Sequence, residues 1–253
     1  MKGPRGDLGT RCRLCLRPRT LRRSHIIPEF LYRPLYGRTH RAISLHRGLR
    51  YLRRFGTGLR EPLLCSECES IFQRYEDYFA RRWFQARPLP TLVPVPANLI
   101  VASDLDYGPF KLFHLSVLWR ASVSTLVEFR DVRLGPHEEH LRHMFLSSDP
   151  GPQDKYRIMA TLLLRPGTRI PHIGVVTVPQ RRRYGSHWIY SAIYAGCAWH
   201  VVVSSPPLEG DSLALSTEGV LSMPIVDLRE IHDVHETIRR GYAVALRKNQ
   251  RAE

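Results

Sequence analysis

The 253-residue sequence has no apolar run long enough to cross a bilayer; the nearest, residues 190–203, is too short and contains His200. Its first residues, MKGPRGDLGTRC, lack the apolar stretch of a secretory leader, so the expected location is the cytoplasm and no membrane partner is expected. Cysteine is scarce, with five in the chain. In a reducing compartment paired thiols read as metal ligands before they read as disulfides. There is no internal repeat and no low-complexity tract outside one proline-rich stretch. The apolar share of 43% is ordinary for a globular protein and excludes wholesale disorder.

Lysine is also rare, 4 against 34 arginines, and the formal net charge is +15. Residues 1–88 hold 20 Lys and Arg against 7 Asp and Glu, a surplus of 13; residues 89–253 hold 18 against 16. A module of that charge attracts polyanions and gains free energy by releasing counterions from a phosphate backbone. Genome composition and bidentate phosphate binding both account for the preference for arginine.

Pro88, Pro90, Pro94 and Pro96 exclude helix and central strand near them and mark a stiff boundary. The expected organisation is a zinc module over residues 1–88, a linker over 89–96, and an α+β domain over 97–253 for target or partner recognition. In the first part, residues 21–27 read as a strand stopped by Pro28, residues 42–45 as a weak strand and residues 62–65 as another. A helix follows with Ile71, Phe72, Tyr75, Tyr78, Phe79 and Trp83 on one buried stripe. In the second part, residues 110–125 and 136–146 read as helices, and residues 156–164, 174–178, 188–195 and 198–203 as strands. Residues 228–247 read as a closing amphipathic helix, and Arg181–Tyr184 as a turn.

The strongest chemical signal is the pair of C-x₂-C motifs, Cys12/Cys15 and Cys65/Cys68. Each places two thiolates on one side of a tight turn, half of a tetrahedral Zn2+ shell. Closing the long segment between them costs entropy that grows only slowly with length. Cys197, alone in an apolar segment, reads as a core residue. His137, His140 and His143 share a helix but do not form HE-x-x-H, and read as a solvated face.

Between the cysteine pairs lies RSHIIPEFLYR, residues 23–33. Cys12, Cys15, His25-Ile26-Ile27-Pro28, Leu64-Cys65 and Cys68 stand in the order C-x₂-C, strand ending in HI-x-P, LC-x₂-C, helix. In this the chain resembles the HNH, or ββα-metal, endonucleases with a four-cysteine zinc site, over residues 11–84. In the second part HLSVLWRASVS, residues 114–124, and LGPHEEHLRHMF, residues 134–145, resemble segments of uncharacterised bacterial proteins that share the SHIIP-type N-terminus, which names no activity.

The resemblance implies a metal-dependent DNA endonuclease. His25 would be general base toward water, and one Mg2+ or Mn2+ would stabilise charge on the phosphate. The chain departs from that pattern at three places. Ser24 replaces the common metal-binding aspartate, Arg60 and Glu61 stand where an asparagine is expected, and Glu69 replaces the closing histidine or asparagine. Glu69 still suits Mg2+, a hard cation, with Gln73 or Glu76 along the same helix face. Arg17, Arg19, Arg22, Arg23, Arg53 and Arg54 are the expected nucleic-acid surface or, alternatively, a solubilising face. His25 can also serve the knuckle's packing, and Glu69 can be a first-turn carboxylate favoured by the helix dipole. The alternative function is a zinc module that binds nucleic acid or a partner without cleavage; a third is action on RNA.

Overall fold

The computed structural model describes residues 11–36, 42–44, 53–55, 58–84, 92–95, 98–184, 186–203 and 213–230. Four strands come first: β1 (Leu21–His25), β2 (Ala42–Ser44), β3 (Arg53–Phe55) and β4 (Arg60–Cys65). β1 lies antiparallel to β4, pairing Leu21 with Cys65 and His25 with Arg60, while β2 and β3 form a small ribbon of their own. The β1–β4 register slips between Arg22 and Arg23, leaving Leu63 as the extra residue of a bulge. Its carbonyl accepts the Arg13 N–H at 3.1 Å, so the irregularity fastens the first cysteine turn onto the ribbon.

β4 runs without a loop into α1 (Ser66–Phe79), which continues through a π-type turn to Phe84. Phe72, Tyr75, Phe79 and Trp83 are buried on the face anticipated from their spacing, with Cys68 beside them. α2 (Tyr107–Val123) is buried on every side from Phe110 to Ala121, polar Lys111, His114, Ser116 and Arg120 included. A helix enclosed all round is the centre of its fold rather than a surface layer. α3 (His137–Ser147) packs beside it, and Ser148, at φ 54°, ends the helix in the left-handed conformation.

The remaining strands are β5 (Leu92–Val95), β6 (Leu99–Ala102), β7 (Ile158–Leu164), β8 (Gln180–Tyr184), β9 (His187–Tyr194), β10 (Cys197–Val202) and β11 (Leu221–Asp227). They form one sheet in the order β5-β6-β11-β7-β10-β9-β8, antiparallel except between β11 and β7. Helices and sheets thus mix in an α+β chain. Part of the proline-rich stretch read as a linker forms edge strand β5, a position that tolerates Pro94. One buried cluster contains Phe72 and Phe79 from before that stretch and Phe113, Trp119 and Trp199 from after it. Phe79 stacks on Phe113 with ring centroids 4.0 Å apart, and Trp83 Nε1 donates to the Ala195 carbonyl at 3.3 Å.

Three expectations need correction. Residues 174–178 are not a regular strand; Thr177 exchanges bonds with Ile193, its N–H donating to the Ile193 carbonyl and its hydroxyl accepting the Ile193 N–H. Arg181–Tyr184 is not a turn but strand β8, paired with β9. The apolar alternation that marks a half-buried strand is missing there because β8 is the exposed sheet edge. Residues 228–230 form a single 3-10 turn rather than the start of a long helix, and 231–247 lie outside the described residues.

Candidate metal centre and the adjoining acidic–histidine site

The sulfurs of Cys12, Cys15, Cys65 and Cys68 all lie within 4.8 Å of one another, a group that can hold a metal ion such as zinc. Zn–S bonds of about 2.3 Å give a tetrahedron with edges of about 3.8 Å; Cys15 Sγ and Cys65 Sγ are 3.9 Å apart. The first turn is closed by Cys12 N–H to the Arg17 carbonyl at 3.0 Å and Leu16 N–H to the Cys12 carbonyl at 2.9 Å, with Leu16 left-handed at φ 59°. The second turn is the start of α1, where the Cys65 N–H donates to Cys12 Sγ at 3.3 Å. The first turn of a helix favours negative charge.

Burial works against ionisation of the thiols. Burial pushes Cys65 up to about 11 and Cys68 further still. At Cys15 burial acts the same way, but hydrogen bonds from the Arg17 backbone and the neighbouring cysteines outweigh it and lower the pKa. A metal ion reverses the balance by binding thiolates directly. Four thiolates around Zn2+ make a doubly negative centre. Arg142 of α3 stands beside it, within electrostatic reach of Cys15, and its Nη1 donates to the Leu14 carbonyl at 3.0 Å.

His25 ends β1, half-buried. Gly58 has φ +68° and lies so close that a Cβ there would stand 3.2 Å from His25 Cδ2 and 3.1 Å from the Tyr32 ring. Only glycine leaves both rings in place. Ser24, which stands where the HNH pattern expects an aspartate, is buried; its hydroxyl accepts the Leu64 N–H at 3.2 Å. Glu61 is likewise committed, binding the Ser124 and Thr125 hydroxyls and the Thr125 N–H at 2.9 Å.

Glu69 stands one turn into α1, and its Oε1 is buried without a hydrogen-bond partner. Glu76, two turns further along the helix, is electrostatically coupled to both Glu69 and His25. Burial raises its pKa, although Arg120 opposes the shift. Arg120 reaches in from α2, its Nη1 bonding Glu76 Oε1 at 2.7 Å and the His25 carbonyl at 2.8 Å. Arg120 is not marked by any motif in the sequence; its signal is a cation within a mainly apolar helix, which also carries Lys111 and His114. Among the described residues, His25, Glu69 and Glu76 do not form a second ligand cluster as tight as the cysteines.

Arg17, Arg22 and Arg23 are exposed. Arg19 is paired with Glu67 at 3.3 Å. Arg53 and Arg54 lie on β3, with side chains outside the described residues. Cys197 is fully buried, as expected of a core residue. Among the described residues the α3 histidines form no metal-ligand group: His137 Nδ1 bonds the Tyr156 hydroxyl at 2.8 Å, His140 packs on the same ring, and His143 meets Glu139 at 2.9 Å. Among the described residues, no helix is long and apolar enough to cross a membrane. No protein-family model, no curated protein and no solved structure matches the chain.

Proposed function

We propose that this chain is a metal-dependent DNA endonuclease of the HNH type, with a structural zinc, His25 as general base and Glu69 as ligand to Mg2+ or Mn2+. The observation that carries the reading is the buried, unpartnered Glu69 Oε1 on the helix face shared with Glu76, whose partner Arg120 also holds the His25 carbonyl. An orphaned carboxylate oxygen normally costs one or more kcal/mol, and a cation or bound water relieves it. A tight protein cage is not required, because Mg2+ keeps several waters and takes one or two carboxylates plus substrate phosphate.

In this reading His25 takes a proton from the water that attacks phosphorus, and the bond from phosphorus to the leaving sugar oxygen breaks. Glu69 would hold a divalent ion, which would supply electrostatic stabilisation of the charge that builds on the phosphate. Arg22 and Arg23 on β1 offer phosphate contacts near the site, and residues 97–253 supply target or partner recognition.

A second reading is favoured by Ser24 and Glu61. Both positions are occupied by side chains tied into structural hydrogen bonds, which supports a zinc module that binds nucleic acid without cutting it. The deciding experiment incubates zinc-loaded protein with supercoiled plasmid and with single-stranded RNA, with Mg2+, with Mn2+ and with neither. Metal-dependent nicking of plasmid supports the endonuclease; RNA cleavage alone moves the substrate to RNA. Binding without cleavage of either leaves the second reading.

A further inference from the structure

The four tryptophans divide sharply. Trp83, Trp119 and Trp199 are 2%, 1% and 1% exposed, whereas Trp188 on β9 is 39% exposed. It does not stand alone. Arg183 pairs with Trp188 and Arg181 with Tyr190 across the β8–β9 ladder, so all four residues share one face of the sheet. The Arg181 guanidinium lies 4.3 Å from the Trp188 ring centroid, and that of Arg183 lies 5.9 Å away. The Tyr190 hydroxyl donates to the Arg133 carbonyl, which brings the loop after α2 against the same edge, with Arg130 and Arg133 exposed on it. Among the described residues, two acidic groups beside this loop are already engaged. Asp131 pairs with Arg130 at 3.7 Å, and Glu138 takes the Ser122 hydroxyl.

Charge on an edge strand has a plain protective use, since it discourages edge-to-edge pairing. An exposed indole works against that purpose and asks for another explanation. A guanidinium stacked on an indole is held flat with its N–H groups pointing outward, the geometry for bidentate phosphate binding. The uncovered part of the indole offers a stacking surface that any base fits. Duplex bases are already stacked on one another, so this combination suits an unpaired strand.

We propose that the β8–β9 hairpin is a binding surface for single-stranded nucleic acid, with Trp188 stacking a base and Arg181 and Arg133 holding the flanking phosphates. The proposal shares with the function above the class of ligand but not the chemistry at His25.

Trp188 makes the test direct, because the other three tryptophans are buried and the exposed emission belongs to it. Full-length zinc-loaded protein is titrated with oligo(dT), with a duplex of equal length and with an acidic peptide, reading tryptophan emission and the anisotropy of labelled ligand. The expected result is saturable quenching by oligo(dT) that is absent in Trp188→Phe when the remaining emission is followed. Trp188→Ala should weaken oligo(dT) binding roughly ten- to a hundred-fold. Arg181→Ala should weaken it less and lower the salt slope by about one phosphate contact. Oligo(dT) binding measured without Mg2+ or Mn2+, where metal-dependent cleavage cannot proceed, separates this surface from the nuclease chemistry. Zinc content and thermal midpoint show whether each variant is folded; if Trp188→Ala is not, the exposed Arg181→Ala decides. Unchanged binding in the folded variants, or equal quenching by duplex or acidic peptide, overturns the proposal, whether or not the native protein cleaves DNA.

Discussion

Arg120 and Glu76 meet at 2.7 Å between α2 and α1, with the arginine side chain 1% exposed, and the same guanidinium holds the His25 carbonyl. This contact joins the helix after the cysteine turns, the strand carrying the histidine and the central helix of the following segment. Ser116 completes it, its carbonyl accepting from Arg120 Nε at 3.3 Å, and the guanidinium lies over the Phe72 ring.

A buried pair of this kind is costly to break, because the remaining charge stays desolvated. Arg120→Met is expected to lower stability by about 3–5 kcal/mol, and Arg120→Met with Glu76→Met by less than Arg120→Met alone. Urea unfolding of both variants checks this. Equal losses would show that the pairing with Glu76 is not what stabilises Arg120.

Zinc should be bound at about one ion per chain, and each of Cys12, Cys15, Cys65 and Cys68 should be needed for it. Structural zinc is worth on the order of 10 kcal/mol in comparable modules, so a strong chelator should unfold the ribbon and α1. Arg142→Ala removes a positive charge beside Cys15 and the bond to the Leu14 carbonyl. It is expected to weaken zinc binding about ten-fold. Metal analysis of the purified variants and a competition titration with a colorimetric chelator measure both effects.

The cysteine pairs and the α1 stripe were legible because each is a local pattern: a two-residue spacing, and a 3.6-residue period from Phe72 to Trp83. The strand signal of β11 was hidden by Pro224, which interrupts the apolar run. Pro224 is accommodated because β11 changes partners there, pairing with β6 through Pro224 and with β7 from Ile225. β8 reads as a polar turn from its three arginines, since an edge strand needs no buried alternation. No local pattern could reveal the association of Arg120 with Glu76 and His25, because it depends on how α2 lies against α1.

Acid should destabilise the fold through His200. Its Nδ1 bonds the Ser191 hydroxyl at 2.8 Å, and burial, with Arg182 adding to it, brings its pKa down to about 4 from 6.5. A histidine with a folded pKa below its unfolded value binds fewer protons when folded. Stability is therefore complete above about pH 6.5 and is lost as pH falls towards 4, by an amount on the order of 3 kcal/mol. His200→Gln should flatten the dependence of the urea midpoint in that window. Buried His114, shifted in the same direction, should leave a residual slope.

The enzyme reading rests on His25 and Glu69 behaving as chemistry rather than as structure. His25→Ala is expected to reduce cleavage by ~10²–10⁴-fold, the usual contribution of general-base catalysis, with zinc content retained. Arg120 holds the His25 main-chain carbonyl, so that anchor survives removal of the imidazole. Glu69→Gln keeps the shape of the side chain and removes the charge available to a cation. It should raise the Mg2+ concentration needed for half-maximal cleavage while leaving zinc and the thermal midpoint close to native. The native Oε1 has no hydrogen bond to lose, so an amide there costs little unless a cation normally sits beside it. Mn2+ binding followed by electron paramagnetic resonance gives a readout apart from cleavage: affinity should fall in Glu69→Gln and stay unchanged in His25→Ala. If Glu69→Gln instead stabilises the protein and leaves Mn2+ binding and cleavage untouched, Glu69 is a first-turn carboxylate and the metal belongs elsewhere.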